Sequence, residues 1–497
     1  MHLFRLGRAD AMGINPEYER RRRTCLRVIS AAGRRITVIH CVAMNSSDNT
    51  ARAASEGESE RNAALVSRSL AAVWHPCTQM KHHEQFPLVP IASASGVWLT
   101  DFEGRRYLDC VSSWWVNLFG HANPRINAAL RDQLDVLEHA MLAGFTHAPA
   151  IELAERLRAL TGLGHAFFGS DGASAVEIAL KMSFHYWRNR GRDEKRKFVS
   201  LVGSYHGETL GALSVTDVQI FRDAYAPLLH NNFLVAPPRR NVGSTDGAAC
   251  CEECIATAVA ALETLLRAHH HDIAAFIVEP LVQGAAGMRM YHPAYLREAR
   301  RLCSEYEVHL IADEIMTGFG RTGSMFAWQQ SQAPLPDFMC LSKGITGGYL
   351  PLSCVLTTDQ IYGAFYDDSS ARGFLHSHSY TGSALACRAA LATLDIFASD
   401  DVIDRNAAAA MRFTKLMAPL REHPRVISFR YQGMIWAFEV QTTRPDFSRA
   451  LFAAGLARGL LLRPIGNTVY FMPPYVIDDE TVAWMAAQTI ACIEALP

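Results

Sequence analysis

Two short motifs in this chain place an acid and an amine at the ends of apolar runs. In IADEIMTGFGRTG (Ile311–Gly323) Asp313 closes the run. In LSKGITGG (Leu341–Gly348) Lys343 follows one and precedes Gly344, Gly347 and Gly348. A carboxylate at the end of a buried strand requires a cationic or strongly hydrogen-bonding partner, because an unpaired buried charge is costly. A lysine amine in a cleft loses hydration, which favours its neutral, nucleophilic form and condensation with a nearby aldehyde. A protonated ring nitrogen beside Asp313 and an aldehyde at Lys343 would satisfy both. Either residue alone reads equally well as a salt bridge or a helix cap.

A third motif offers a place for an anion. FFGSDGASAVEIALKMS (Phe167–Ser183) passes through Gly169 and Gly172 into a helical pattern with Val176, Ile178, Leu180 and Met182. The amides of Gly172 and Ala173 would then stand at a helix start, where phosphates bind. By itself the loop is an ordinary strand-to-helix turn capped by Ser170 or Asp171. Tyr205, in GSYHGET, is placed to stack on a planar ring, or is a half-buried loop aromatic. Lysine, acid, phosphate-binding amides and stacking ring together are the roles that pyridoxal 5′-phosphate requires of a protein. The lysine would hold the cofactor as a Schiff base and then move the proton.

These residues need a scaffold that brings them to one place. Phe198–Val202, Ala275–Val278, Val308–Ala312 and Phe338–Leu341 read as buried parallel strands, each followed by a turn and a helical pattern. The fold class is therefore α/β, with a mostly parallel central sheet flanked by helices. Ligands of open parallel sheets bind at the carboxyl ends of the strands, and those ends carry Tyr205, Glu279, Asp313 and Lys343. After about Leu385, helical patterns at Ala390–Ser399 and Asn406–Leu420 precede strand-like runs at Met434–Val440 and Thr468–Met472, which suggests a smaller α+β domain. The expected organisation is an extension over 1–66, an N-terminal segment over 67–125 packing with the small domain, a large cofactor-binding domain over 126–385 and the small domain over 386–497.

Composition narrows the class. Hydrophobic residues make up 49% of 497 residues and charged ones 20%, with a formal net charge of -1, so nothing asks for a nucleic-acid partner. No apolar run reaches the ~20 residues of a membrane span. Twelve scattered cysteines suit a reducing, cytoplasmic setting without structural disulfides. Cys250, Cys251 and Cys254 form a C-x-x-C without a second pair, in an insertion from Pro237 to Cys254, and read as loop thiols. His269–His271 read as a polar helix end, so no metal site is expected. The first residues, with Arg20–Arg23 and a small, polar stretch from Asn45 to Asn62, read as a poorly ordered, dispensable extension, with Met44 an alternative start, rather than an Arg-rich targeting arm.

From about Trp74 to the end the chain resembles the class III, fold type I aminotransferases. The resemblance is carried by WHPCTQM, SSWWVNLFGH, THAPAIELAERL, SAVEIALKMS, YHGET, VEPLVQGAAGMRMYHP, IADEIMTGFGRTG, HSHSYTGSALAC and RPIGNTVYFMPPY. It implies that Lys343 is the Schiff-base lysine, Asp313 the partner of the ring nitrogen, Tyr205 the stacking residue, and Gly172 and Ala173 phosphate ligands. It also implies a homodimer with shared active sites, in which His378 and Ser379 reach the neighbouring subunit's phosphate. Cys77, Trp114, Trp115 and Ser377 would face substrate, and Arg463 would pair with a substrate carboxylate. Within the family, the tryptophan pair, MRMYHP and YFMPPY resemble the members that aminate 8-amino-7-oxononanoate from S-adenosylmethionine in biotin biosynthesis. Cys77 stands where many relatives have a tyrosine against the donor's adenine, Ala173 replaces a serine, Glu208 an aspartate, and HSHSYTG differs from HGPTFMG. Lysine therefore stays open as donor. Other ω-aminotransferases, acting on lysine, ornithine, 4-aminobutyrate or a diamine, and an aminomutase remain the alternatives.

Overall fold

The computed structural model describes residues 50–84, 86, 88–238 and 252–496. The chain divides into two units, Met1–Gly57 and Glu58–Pro497. Arg20–Arg23 and Met44 lie outside the described residues, as do residues 239–251 of the insertion with Cys250 and Cys251. A helix spans Thr50–Ala72, across part of the stretch whose small, polar composition suggested poor order. Alanine, glutamate and arginine are good helix formers even without an apolar stripe. A chain beginning at Glu58 is expected to match the full chain in cofactor content, melting temperature and turnover, as read by visible absorbance, calorimetry and initial rates.

Seven strands form the central sheet, in the order His165–Gly169, Ser353–Thr357, Phe338–Leu341, His309–Asp313, Ile273–Val278, Lys197–Leu201 and Phe233–Val235. Only Ser353–Thr357 runs antiparallel to its neighbours; the other pairings are parallel. The four strands expected from sequence are all present, within two residues at each end. They are largely apolar because the sheet is covered by helices: all six residues of Ile273–Val278 are buried. The helix Gly172–Asn189 buries Val176, Ala179, Leu180 and Ser183 against this sheet. It starts where the Asp171 side chain accepts from Ser174 N at 2.8 Å, so Asp171 and not Ser170 is the cap.

Two smaller sheets complete the unit. Val426–Gln432, Ile435–Val440 and Thr468–Phe471 form an antiparallel sheet with the helices Ala384–Ser399, Val402–Leu416 and Asp479–Glu494 in the same C-terminal region. Ile91–Ser95, Trp98–Asp101 and Arg106–Asp109 form an antiparallel meander. Its last position is filled by Leu460–Leu461, which pairs in parallel with Leu108 and Asp109. Chain segments from the two ends of the unit thus share one sheet. Its strand ends lead, on one side, into Ser112–Trp115 and, on the other, to Arg463. No helix among the described residues is long and apolar enough to cross a membrane.

Candidate active site

The parallel strands deliver their end residues to one rim. Lys343 follows Phe338–Leu341 through an extended Ser342 and has φ +46. Its Nζ lies 4.9 Å from the centre of the Trp115 ring, and no hydrogen bond or ion pair holds it among the described residues. Burial lowers its pKa, against the pull of the Asp313 and Glu279 carboxylates. That shift enlarges the neutral fraction, the form that attacks a carbonyl.

Asp313 is the last residue of its strand and is buried. Its Oδ2 accepts from His206 Nδ1 at 2.6 Å, and its Oδ1 accepts from Ile315 N at 3.1 Å. His206 is itself fixed by its backbone N–H donating to Thr216 Oγ1 at 2.9 Å. Its Nε2 is buried without a partner among the described residues. Beside this pair, Glu279 accepts from Tyr205 N at 3.0 Å and from Gly284 N at 2.9 Å, one bond to each oxygen. Burial pushes Glu279 up to about 7, with His206 pulling it back. Tyr205 donates its hydroxyl to Glu208 at 2.9 Å and meets Phe221 edge-on; burial raises its pKa.

The tryptophan pair arrives by an unusual route. Ser112, Ser113, Trp114 and Trp115 have φ of 51°, 46°, 72° and 73°, so the residues after Asp109 make a left-handed helical turn, closed by Trp115 N to Val111 O at 2.8 Å and Val116 N to Ser112 O at 2.9 Å. Such a conformation costs about 1–2 kcal/mol per residue for anything but glycine. The turn aims Trp115 at Lys343, with Nε1 donating to Tyr470 OH at 3.1 Å. It also sets Trp114 beneath the Arg463 guanidinium, 4.3 Å from the ring centre. Gly348 passes so close that a Cβ there would stand 2.8 Å from the backbone of Val116 and Asn117, so the lysine loop rests on the turn.

A cavity of about 1000 Å³ gathers Cys77, Trp114, Trp115, Tyr205, Lys343 and Arg463. Arg463 has no carboxylate partner among the described residues, which leaves its two-pronged donor face for a ligand. Asp313 lies buried behind the cavity wall rather than in its lining. Gly172 and Ala173 sit at the helix start, and neither amide N–H has a hydrogen-bond partner among the described residues. Gly207 is pressed against them: with φ +125, a Cβ on it would meet Ala173 Cβ at 2.6 Å. An unpartnered amine, a buried carboxylate braced by a histidine, a stacking-capable ring and two free amides at a helix start fit pyridoxal phosphate.

Three expected residues stand apart from this group within the single chain. His378 Nδ1 lies 3.0 Å from Ser170 Oγ, beside the helix start. The carbonyl of Ser379 meets His139 Nε2 at 2.9 Å. Ser377 is exposed and does not line the cavity. Two contributors escaped the sequence reading. His206 directly follows Tyr205, but nothing in YHGET shows that it meets an acid 107 residues away. Arg321, in the same motif as Asp313, is buried and ties the carbonyls of Asn117 and Pro473 together at 2.8 Å each, beneath the turn. His269 ends the helix Glu252–His269, as a polar helix end. Among the described residues no group of three or more potential ligands could hold a metal ion.

Comparison with known proteins adds a consistent set of likenesses. The model of the aminotransferase class-III family matches residues 79–493. The adenosylmethionine-8-amino-7-oxononanoate aminotransferase of Helicobacter pylori is 48% identical over 440 residues, covering 87% of this chain and 98% of that protein. Its namesake from Anoxybacillus flavithermus is 41% identical over 435 residues, covering 85% and 94%. The crystal structure of the enzyme of that name from Methanocaldococcus jannaschii superposes with a TM-score of 0.81 at 34% identity, over 87% of this chain and 99% of that one. An omega transaminase from Pseudomonas jessenii, solved in complex with PMP, has a TM-score of 0.81 at 25% identity, over 87% and 98%.

Proposed function

This chain belongs to the class III aminotransferases, pyridoxal-phosphate enzymes of fold type I, and on that premise we propose that it transfers an amino group from S-adenosylmethionine to 8-amino-7-oxononanoate, giving 7,8-diaminononanoate for biotin biosynthesis. The observation that carries the acceptor is Arg463. A guanidinium without a carboxylate partner lies over Trp114, in the same aromatic-walled cavity as the Lys343 amine. Such a cavity suits a long apolar substrate with a carboxylate remote from the reacting carbon. The test is product analysis by mass spectrometry, with oxononanoate as acceptor and S-adenosylmethionine, lysine, ornithine or 4-aminobutyrate as donor. We expect the diamine with S-adenosylmethionine. No diamine with any donor would overturn the reading, and diamine from lysine alone would replace the donor.

When bound, pyridoxal phosphate supplies an aldehyde that takes up the amino group and a ring that draws off the charge left on the substrate carbon. The protein's part is to hold, orient and move protons. We assign the phosphate to the amides of Gly172 and Ala173 and the ring face to Tyr205. Asp313, its carboxylate held by His206 Nδ1 and Ile315 N, would keep the ring nitrogen protonated. Lys343 anchors the aldehyde, and its Nζ then carries the proton to and from the substrate carbon. Cys77, Trp114, Trp115 and Arg463 shape the substrate cavity. Asp313→Asn is expected to lose cofactor on dialysis and to slow single turnovers on the order of 10²–10³-fold, the scale of losing one preorganised electrostatic partner. Stopped-flow absorbance reads this, and unchanged rates would remove Asp313 from the mechanism.

We further infer a cytoplasmic homodimer. Cys77, Cys110, Cys303, Cys340, Cys354, Cys387 and Cys492 are free thiols, which suits a reducing compartment. Val136, Met141, Phe145, Leu375 and Tyr380 expose large apolar side chains around the HSHSYTG segment, as a surface awaiting a partner does. In a dimer, that segment would bring His378, Ser379 and Ser377 to the neighbouring site.

A further inference from the structure

We propose that Asp109 is a positioning residue: it holds the left-handed turn Ser112–Trp115 and thereby sets the aim of both cavity tryptophans and the selectivity for a carboxylate-bearing acceptor. The selectivity part rests on Arg463 binding that carboxylate. Four consecutive positive φ values in a sequence without glycine are not what SSWW adopts unaided; outside ties must hold them. Asp109 supplies most of these. Its side chain is fully buried, and it accepts from Ser113 N and Ser113 Oγ at 2.8 Å each, and from Val111 N at 3.4 Å. His121 Nε2 lies 2.9 Å from the same carboxylate, and its Nδ1 lies 3.2 Å from Asn117 Nδ2. With the Asn117 amide donating to Nδ1, His121 presents its Nε2 proton to Asp109.

Two further ties, Ser112 Oγ to Met472 O at 2.7 Å and Trp115 Nε1 to Tyr470 OH at 3.1 Å, hold the two ends of the turn and leave the sign of φ at Ser113 to Asp109. Both oxygens are needed. An asparagine keeps one acceptor but turns an NH₂ toward donors, either His121 Nε2 and Ser113 Oγ or the N–H groups of Ser113 and Val111. Released from positive φ, the chain would carry the Trp114 ring from beneath Arg463 and the Trp115 ring from Lys343. Among the described residues neither tryptophan is hydrogen-bonded to Asp109, so the effect on substrate passes through the backbone.

The test compares wild type and Asp109→Asn, in the cofactor-loaded enzyme, on oxononanoate and on its methyl ester. Asp109→Asn is expected to raise the KM for the acid about 10- to 100-fold, as misplacement of about 1 Å can do. kcat should stay within about threefold and cofactor absorbance should be unchanged, while the preference for acid over ester collapses. Adding Ser113→Gly should restore much of the KM, because glycine takes positive φ freely. A merely structural role would lower the melting temperature and leave the acid-to-ester ratio intact. Should Asp109→Asn fail to fold, His121→Ala, which removes one donor, should shift the ratio in the same direction by less. A wild type that prefers the acid with an Asp109→Asn variant that prefers it as strongly overturns the proposal, as does failure of the glycine to rescue. A wild type indifferent to the ester sinks the Arg463 reading instead. The crystal structure of Asp109→Asn then decides about the turn: residues 112–115 leaving positive φ supports the proposal, and both rings unmoved overturns it.

Discussion

Lys343→Ala is expected to lower kcat by at least about 10³-fold, within the range that a positioned proton carrier contributes, while the protein stays folded. The amine has two duties. In the proposed mechanism it anchors the cofactor covalently and carries the proton at the reacting carbon. The structure sets it apart from a structural lysine. Its Nζ has a ring face beneath it and no ion pair among the described residues, and burial lowers its pKa. The contrast is Lys195, buried likewise, whose Nζ donates to the carbonyls of His270, Ile273 and Glu307; nothing is left over there for chemistry. Small primary amines added to Lys343→Ala should restore part of the proton transfer, and no such amine should matter to wild type. Visible absorbance tests the anchor: the wild-type band should shift on adding an amino donor, and the variant should release its cofactor on gel filtration. Turnover near the wild-type rate would remove Lys343 from the centre of the site.

The second large effect is expected at Arg463. It follows the short strand Leu460–Leu461 and precedes Pro464, so its backbone is anchored on one side by a sheet and stiffened on the other by a ring. Arg463→Ala should cost roughly 2–4 kcal/mol in kcat/KM for the oxononanoate, or about 30- to 1,000-fold, the scale of removing one partner from a desolvated charge pair. The reaction with the amino donor should suffer less. A salt-bridge role would have predicted a carboxylate beside the guanidinium; the structure has the Trp114 ring there. Arg463→Lys should recover little, since an ammonium cannot make the two parallel bonds of a guanidinium. Equal losses on acid and ester substrates would remove Arg463 from the carboxylate site.

The rim of the sheet was legible because buried parallel strands are short, nearly uninterrupted apolar runs, and the first polar residues after such runs stand out. Glu279, Asp313 and Lys343 are found that way, and chemistry then ranks them. The partner of Asp313 was not legible: no local pattern in YHGET distinguishes a buried histidine that braces an acid from one that caps a loop. The left-handed turn was hidden for a different reason. Positive φ is usually advertised by glycine or asparagine, and SSWW has neither, so its conformation is written in Asp109 and His121 rather than in the turn.

Leu460–Leu461 closes the sheet that begins at Ile91, and this orders events during synthesis. The Trp115–Tyr470 hydrogen bond joins residues 355 apart, and the Ser112–Met472 bond joins residues 360 apart. At a ribosomal rate of about 5–20 residues per second, the first tryptophan turn waits on the order of tens of seconds for the strand that completes it. The large sheet can form in the interval, because its strands, from His165 to Thr357, are all made before that strand. Closing so long a loop costs little extra free energy, as the entropy grows only logarithmically with length, but it delays folding, because contacts far apart in sequence form late. A nascent chain halted before Leu460 would therefore carry Lys343 and Asp313 without the sheet edge that leads to Arg463, and a cofactor taken up at that stage would meet a site open to water.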